Sequence, residues 1–536
     1  MAIQRVTFTE WTPDLPGVVE NLSAAENVVP TAVGYAPFPT AVDYSAAASE
    51  DLNSVFAGRF NTTTNVFAGG ATKLFRFDSS DLSMDNVSKS GNYTNVSKWN
   101  FVQFGNTIIA ANNVDKLQGF TLGSSSLFAD LAAAAPVAKF VAVVRDFVVA
   151  ANLDSGTNSN KVQWSDINDE ADWTSGATSQ SDYQIIADGG NITGLTGGEF
   201  GLVLLERAIV RMSYIGSPYF FQFDTIARGL GCIEGNSVAK YNNTTYFLGD
   251  DGFYACDGST VKPIGTQKVD NWFFNNANPS EFDTMSTTID PLRKIVVWNF
   301  LNTFGGRSLI MYNWQVDKWS YGTTDTNVVA YSATAGVTLE GLDINYLVTA
   351  GSFTVGKQYT IEVIGSTDFT AIGAEVNVVG ARFTATGVGS GTGTAVDLAA
   401  AAAAGRTLDT MTTSLDDRLW AGGKLLFAGA RGTKVVTFTG ANATATITTG
   451  DIGSEATSLV TLARPIVDNG SAQVAIASRM LLNQVPQLGS YTQASAENRV
   501  SLRSSGKYHR LSIIPTGSQW SNVMAIDVEL QQQGTR

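Results

Sequence analysis

The chain has 536 residues, with 34 Lys+Arg against 48 Asp+Glu, a net charge of −14, and 52 Gly against 13 Pro. Charged residues make up 15% and hydrophobic ones 44%, so the polar surface must come from Ser, Thr, Asn and Gly, which favour strands and turns over long helices. The acidic balance without a Lys/Arg cluster excludes a basic grip on nucleic acid, and no run of ~20 apolar residues exists to span a membrane as a helix.

Residues 1–48 read as an extended N-terminal strap, with five prolines before residue 40 and no secretory signal in MAIQRVTFTEW. From about residue 49 to 341 one phrase recurs: a short apolar or alternating strand, a Gly/Asn/Asp turn, and a partner strand. GNTIIAANNVDKLQGF, DFVVAANLDSGTNSNKVQW and, later, GGKLLFAGARGTKVVTF share it. Continuously apolar strands are buried on both faces, as the inner strands of stacked blades must be. The reading is all-β, a β-propeller taken as six-bladed, with a series of two-sheet sandwiches as the competing architecture.

Residues 342–398 break the phrase with tight alternation, many glycines and few charges. They are expected to form a small β-domain inserted in a loop, a position that tolerates insertion. Residues 399–536 are expected to hold the last part of the propeller and its closing strands. The alanine run 399–404 has helix propensity, which Gly405 ends. Both termini are expected to strap the ring shut.

Several chemistries are excluded by the side chains present. The single histidine, His509, cannot build an HExxH zinc site, and it lies in a strand-like segment without a nucleophile elbow. Cys232 and Cys256 are expected as buried thiols, since two cysteines make no disulfide framework. The glycine string at 387–395 lacks the Lys-Ser/Thr of a phosphate loop and reads as a hairpin or linker. Asp166, Asp169, Glu170 and Asp172 supply carboxylates for glycoside hydrolysis only if two of them face each other across a cleft. Asp250, Asp251 and Asp257 read as turn residues beside Gly252 and Gly258, not as a calcium loop. No catalytic, cofactor-binding or metal-binding residue is therefore assigned, no cofactor is expected, and no enzyme activity is expected.

Four segments carry a resemblance: FTEWTPDLPGVVENLSAAENVVPTAVGYAPFP, VQWSDINDEADW, GCIEGNSVAKYNNTTYFLGDDGFYACDGSTVKPIGTQKVDNWFF and GKYHRLSIIPTGSQWSNVMAIDVELQQQGTR. In this order they resemble the β-propeller tail hub or nozzle proteins of short-tailed bacteriophages. The insert, with YTIEVIGSTDFTAIGA and FTATGVGSGTGTA, looks like a module that recurs in phage virion proteins. The resemblance implies a structural protein of the virion tail, made in the cytoplasm of the host bacterium. Six copies would form a homohexameric ring below the portal that extends the DNA channel and retains the genome until ejection. Implied partners are further copies of the chain, head–tail adaptor proteins, tail fibres or spikes, the host envelope, and genomic DNA that passes without specific binding. The family carries over no catalytic residues; Trp164, Asp251, Gly252, Tyr254, Trp272 and Arg510 are expected at turn and core positions. Two rival classes remain. One is a host-surface glycan-binding tail protein using Trp314, Trp319 and Tyr321; the other is a glycan-cleaving propeller using residues 166–172. The Gly-rich hairpin 302–307 is a candidate channel gate.

Overall fold

Short apolar runs punctuated by Asn, Asp and Gly form antiparallel ladders, because the turn residues adopt backbone angles that reverse the chain cheaply. Asn242, for example, takes φ +53° between two paired strands. The computed structural model describes residues 2–17, 20–60, 63–79, 81–333, 347–397 and 425–533. Among these, seven four-stranded antiparallel units follow one another. Their first strands, in blades 1 to 7, are Leu52–Phe60, Asn100–Phe104, Ala138–Val144, Ile192–Thr196, Ala239–Tyr241, Ser286–Asp290 and Val328–Ala333.

Each junction between neighbouring blades has its own apolar filling. Phe67 and Trp99 lie between blades 1 and 2, Ile109 and Val148 between 2 and 3, and Val149 and Val203 between 3 and 4. Leu204 meets Phe247 between 4 and 5, Phe253 meets Trp298 between 5 and 6, and Val297 meets Val329 between 6 and 7. Phe75 and Val328 then join blade 7 back to blade 1. The ring is closed, and the fold is a β-propeller. The second strands explain why the sequence is continuously apolar there: Phe147–Leu153 is buried at every position, with neighbours on both faces.

The blade count is seven rather than the expected six. Blade 7 escapes a reading along the chain because it is assembled from distant pieces. Val328–Ala333 pairs with Leu425–Arg431, which pairs with Lys434–Thr437, and the outer strand is Val42–Asp43 from the N-terminal segment. Arg431 bridges Asp43 and Asp325, and Lys434 reaches Asp43 at 2.7 Å. Closure therefore falls to the N-terminal segment alone.

Residues 425–437 do give the propeller two strands, but the strands from Thr446 onward do something else, which corrects the expectation that they close the ring. Thr446–Thr449, Ile452–Asp468, Ser471–Arg479, Val500–Thr516 and Asn522–Gln532 build a platform sheet together with Ala2–Thr7, Leu22–Glu26 and Tyr35–Pro37. A single parallel bridge, Glu26 to Tyr321, continues blade 6 into this sheet. One core runs through both: Trp298 and Trp319 of blade 6 belong to the same buried cluster as Trp11, Tyr35, Val474, Leu511 and Ile526. The physical reason is that alternating strands of 17 residues are too long for a blade, and their buried side chains, such as Val460, Leu511 and Ile513, join the cluster that also holds residues of blades 5 and 6. The alanine run 399–404 lies outside the described residues.

Between the first two strands of blade 7 the chain makes a separate four-stranded sheet, with Leu347–Thr349, Gln358–Val363, Arg382–Thr384 and Thr394–Asp397. Phe353, Tyr359, Phe369 and Phe383 fill a core of its own. The glycine string 387–395 feeds its last strand, where Thr367 Oγ1 accepts a hydrogen bond from the Gly393 amide at 2.8 Å.

Candidate functional site

Two places hold polar groups in arrangements that the strands alone do not require. The first is the propeller axis. A cavity of about 470 Å³ is lined by the innermost strands of blades 1, 2, 5, 6 and 7. At one mouth Lys98, just before blade 2, donates to the carbonyls of Met285 at 2.5 Å and Thr284 at 3.4 Å, just before blade 6. Blades 7 and 1 separate those two blades along the ring, so this side chain bridges the axis. Burial and the nearby Arg307 guanidinium push the Lys98 ammonium down to about 8. Burial pushes the Glu234 carboxyl up, against the backbone amide of Asn236 that it caps. Arg307 Nη1 donates to the same Thr284 carbonyl at 3.2 Å, which places the 302–307 hairpin beside this mouth. Its tip residue, Phe304, is 90% exposed.

The second place is on the platform. Asp451, almost fully buried, accepts from Arg479 and from Arg510, the latter at 3.1 Å. Its backbone amide donates to the Gly17 carbonyl at 2.7 Å. A Cβ on Gly17 would sit 2.9 Å from Arg510 Nη2 and 3.2 Å from Asp451 Oδ2, so any larger residue here would press on the ion pair. Arg479 also donates to the carbonyls of Leu482 at 2.6 Å and Gln484 at 2.5 Å. The Gln484 side chain accepts from the amides of Met480 and Leu481. The loop 480–491 thus turns its backbone inward onto a guanidinium and its side chains outward. Met480, Leu481, Leu482, Val485 and Leu488 are exposed, Val485 by 75%. Next to it, His509 is buried between Ser458 Oγ at 2.8 Å and Ser478 Oγ at 2.7 Å, and burial lowers its pKa.

The carboxylates singled out in the sequence are engaged in turns. Asp166 accepts from the amides of Ile167 and Gln180, Asp169 from Ala171, and Asp172 from Thr174. Glu170 accepts from Thr107 Oγ1 at 2.9 Å and so ties this loop to blade 2. Asp257 accepts four bonds from Ser259 and Thr260, which hold it well below the usual carboxylate range. Asp251 takes the Tyr254 hydroxyl at 2.7 Å, while Asp250 stays exposed. Gly252 is needed because a Cβ there would lie 2.3 Å from the buried Asp270 carboxyl. Burial raises that acid to about 6, helped by Asp14 and Asp251.

The aromatic candidates pack inward. Trp319 is fully buried, Trp314 lies tilted against Tyr241 with centroids 5.1 Å apart, and Tyr321 lies against Trp11 and Trp272. Trp164 is buried and donates to the Gln180 carbonyl. Cys232 and Cys256 are buried and unpaired, and burial raises the Cys232 thiol to about 11. Among the described residues no group of three or more His, Cys, Asp or Glu is placed to hold a metal, and no helix is long and apolar enough to cross a membrane. Sequence reasoning missed both Lys98 and the 480–491 loop. The loop had a signal, the run MLLNQVPQL in polar surroundings.

With this geometry in hand, the class of protein is a seven-bladed β-propeller welded to a β-platform. No family model matches the chain, and no curated protein matches it. Among solved structures, the Pan2 WD40 domain of Neurospora crassa is similar over 52% of this chain and 80% of that one, with 7% identity and a TM-score of 0.31. Dihydro-heme d1 dehydrogenase NirN, solved in complex with DHE, is similar over 54% of this chain and 59% of that one, with 12% identity and a TM-score of 0.30.

Proposed function

We propose that the chain is a structural protein of a short bacteriophage tail, the subunit of a hexameric hub or nozzle ring that extends the DNA channel and helps retain the genome until ejection. The observation that carries this reading is the platform's ordered apolar loop, a surface suited to a permanent neighbour, on a sheet whose core is shared with blades 5 and 6. The resemblance of the N-terminal, middle and C-terminal segments to tail hub proteins supports it. The axis of a single propeller does not serve as the conduit in this reading. A duplex whose major groove alone is ~12 Å wide does not fit a bridged cavity of about 470 Å³, so the channel runs between copies. A net charge of −14 per chain gives such a channel little attraction for phosphate.

Native mass spectrometry of tails isolated from particles tests the reading, with six copies expected. A monomer or a different count removes the hexamer. Purified protein is also expected to show no gel shift of duplex DNA at physiological salt, where non-specific binders reach ~10⁻⁴–10⁻⁶ M. A salt-sensitive shift at sub-micromolar protein would overturn the non-adhesive channel.

A further inference from the structure

The axial cavity differs in charge from the chain around it. The protein carries a net −14, yet the described residues that line the cavity include two lysines, Lys98 and Lys240, and neither Asp nor Glu. Two of the three Lys98 ammonium protons go to the carbonyls of Met285 and Thr284, the second at a long 3.4 Å. The third has no acceptor among the described residues. Lys240 donates to the Gly197 carbonyl and adds its charge from the side of blade 4. Arg307 brings a third cation to the mouth that Lys98 occupies. The carboxylates nearby offset this only in part. Glu234, which also faces Lys139, accepts from the Asn236 amide and is pushed toward its neutral form by burial. Asp283, which faces both Lys98 and Arg307, is exposed to water, and Glu281 faces Arg307.

The uncharged part of this wall has donors left over. Ser54 Oγ accepts from the Trp99 amide and Ser286 Oγ from the Val329 amide, both at 2.9 Å, so each hydroxyl keeps its own proton to donate. Asn100 Oδ1 accepts from the Val141 amide at 2.8 Å, and its NH2 group has no acceptor among the described residues. These groups gather at the Lys98 end of the cavity. Ser54 holds the residue after Lys98, Asn100 follows that residue, and Ser286 follows Met285, on which Lys98 rests. An apolar occupant would leave the donors unpaired, and a cation would meet the ammonium. A small anion with several acceptor oxygens suits both.

We propose that the axial cavity binds a free oxyanion of the phosphate class, with the Lys98 ammonium as its charged contact and Ser54, Asn100 and Ser286 as neutral donors. The volume of about 470 Å³ admits such an ion with water around it and excludes a duplex. The site belongs to one propeller, so it stands apart from the ring reading, and its failure leaves that reading untouched.

Thermal melting of the full chain tests the site with inorganic phosphate, titrated against sodium chloride at constant ionic strength. The melting temperature is expected to rise with phosphate and with sulfate, as a ligand of the folded form requires, and not with chloride. These salts also stabilise folded proteins by exclusion from their surface, so Lys98→Met is the reference. Its response is expected to correspond to at least ~10-fold weaker binding, the loss of a hydrogen bond to a charged group. An equal rise in both proteins would overturn the site. A second measurement needs no variant. Acylation by an N-hydroxysuccinimide ester, mapped by peptide mass spectrometry, is expected to slow at Lys98 in phosphate or sulfate and to stay unchanged at the exposed Lys262. No protection of Lys98, or equal protection of both lysines, would also overturn it. The charge requirement shows in the pH dependence. The Lys98 ammonium titrates at about 8, and the charge of sulfate is constant in this range. Sulfate is therefore expected to bind less tightly at roughly pH 9.5 than at roughly pH 7, and undiminished binding would exclude Lys98 as the contact.

Discussion

Blade 4 and blade 7 have the same four-stranded form and opposite origins. Blade 4 is one continuous stretch, with strands from Ile192–Thr196 to Phe220–Arg228 joined in sequence. Blade 7 is drawn from residues 42–43, 328–333 and 425–437. Hairpins close short loops at little entropic cost, whereas blade 7 must bring together segments hundreds of residues apart. Blade 7 is thus the seam of the ring, and the N-terminal segment is its fastener.

Removing residues 2–48 is the harshest way to break this comparison. It deletes the outer strand of blade 7 and takes Trp11, Leu22, Val28 and Tyr35 out of the shared core. The loss is expected to exceed the ~5–15 kcal/mol that usually holds a domain, so thermal melting should show no cooperative transition. A melt close to wild type would mean that the seam closes without its fastener. Matched core truncations probe the two blades more gently. Leu204→Ala, at the junction of blades 4 and 5, is expected to cost ~2–5 kcal/mol, and Phe427→Ala in blade 7 ~3–5 kcal/mol. Amide hydrogen exchange should separate them. Phe427→Ala is expected to speed exchange in blades 6 and 7, including the Val42–Asp43 strand, because the cluster it leaves lies between those two blades. Leu204→Ala is expected to leave blade 7 protected.

A third test uses the seam between blade 5 and the N-terminal segment, where Asp270 meets Asp14. The folded carboxyl titrates at about 6 against an ordinary 3.8, so the folded chain carries the cost of a buried charge at neutral pH. As pH falls below about 6 the folded form takes up its proton first and the cost is relieved, fully so below the unfolded value. Asp270→Asn keeps an acceptor for the Phe253 amide, which Asp270 takes at 3.1 Å, and has no charge to relieve. Relative to it, wild type is expected to gain roughly 1–3 kcal/mol between pH 7.5 and pH 4. Denaturant midpoints at the two pH values measure this, and parallel shifts in both proteins would refute it.

The same contrast explains what could be read in the sequence. Blades 2 and 3 were legible because TIIAA and FVVAANL are unbroken apolar strands beside Gly and Asn turns, and their pairing is local. Blade 7 was not, because nothing in VD at 42–43 shows that it will border KVVT at 434–437. The platform was misread as closing strands, since alternation gives a strand and one buried face but not the sheet it joins. Turn carboxylates such as Asp257 were legible from the Asp-Gly pair. Lys98 was not, because a lone lysine before a strand looks the same whether it meets water or two carbonyls across an axis.

The smallest effect is expected from the insert, and it sharpens the contrast most. The sheet between Leu347 and Asp397 fills its own core with Phe353, Tyr359, Phe369 and Phe383. The strands that flank the insertion point in blade 7 need nothing from it: Val328–Ala333 and Leu425–Arg431 pair antiparallel, and Ala333 lies opposite Leu425. Two chain ends that face each other across a ladder can be joined by a two-residue turn, and Asn-Gly is the pair that suits the strand twist. Replacing residues 334–424 by Asn-Gly converts a discontinuous pairing into a local hairpin and shortens a long loop, a change that costs nothing in loop entropy. The propeller is therefore expected to melt within a few degrees of wild type, where 1 kcal/mol is ~2–4 °C for domains of 150–250 residues. A large drop in the melting temperature would show that blade 7 draws stability from the insert, and the seam would then extend beyond the strands that define it.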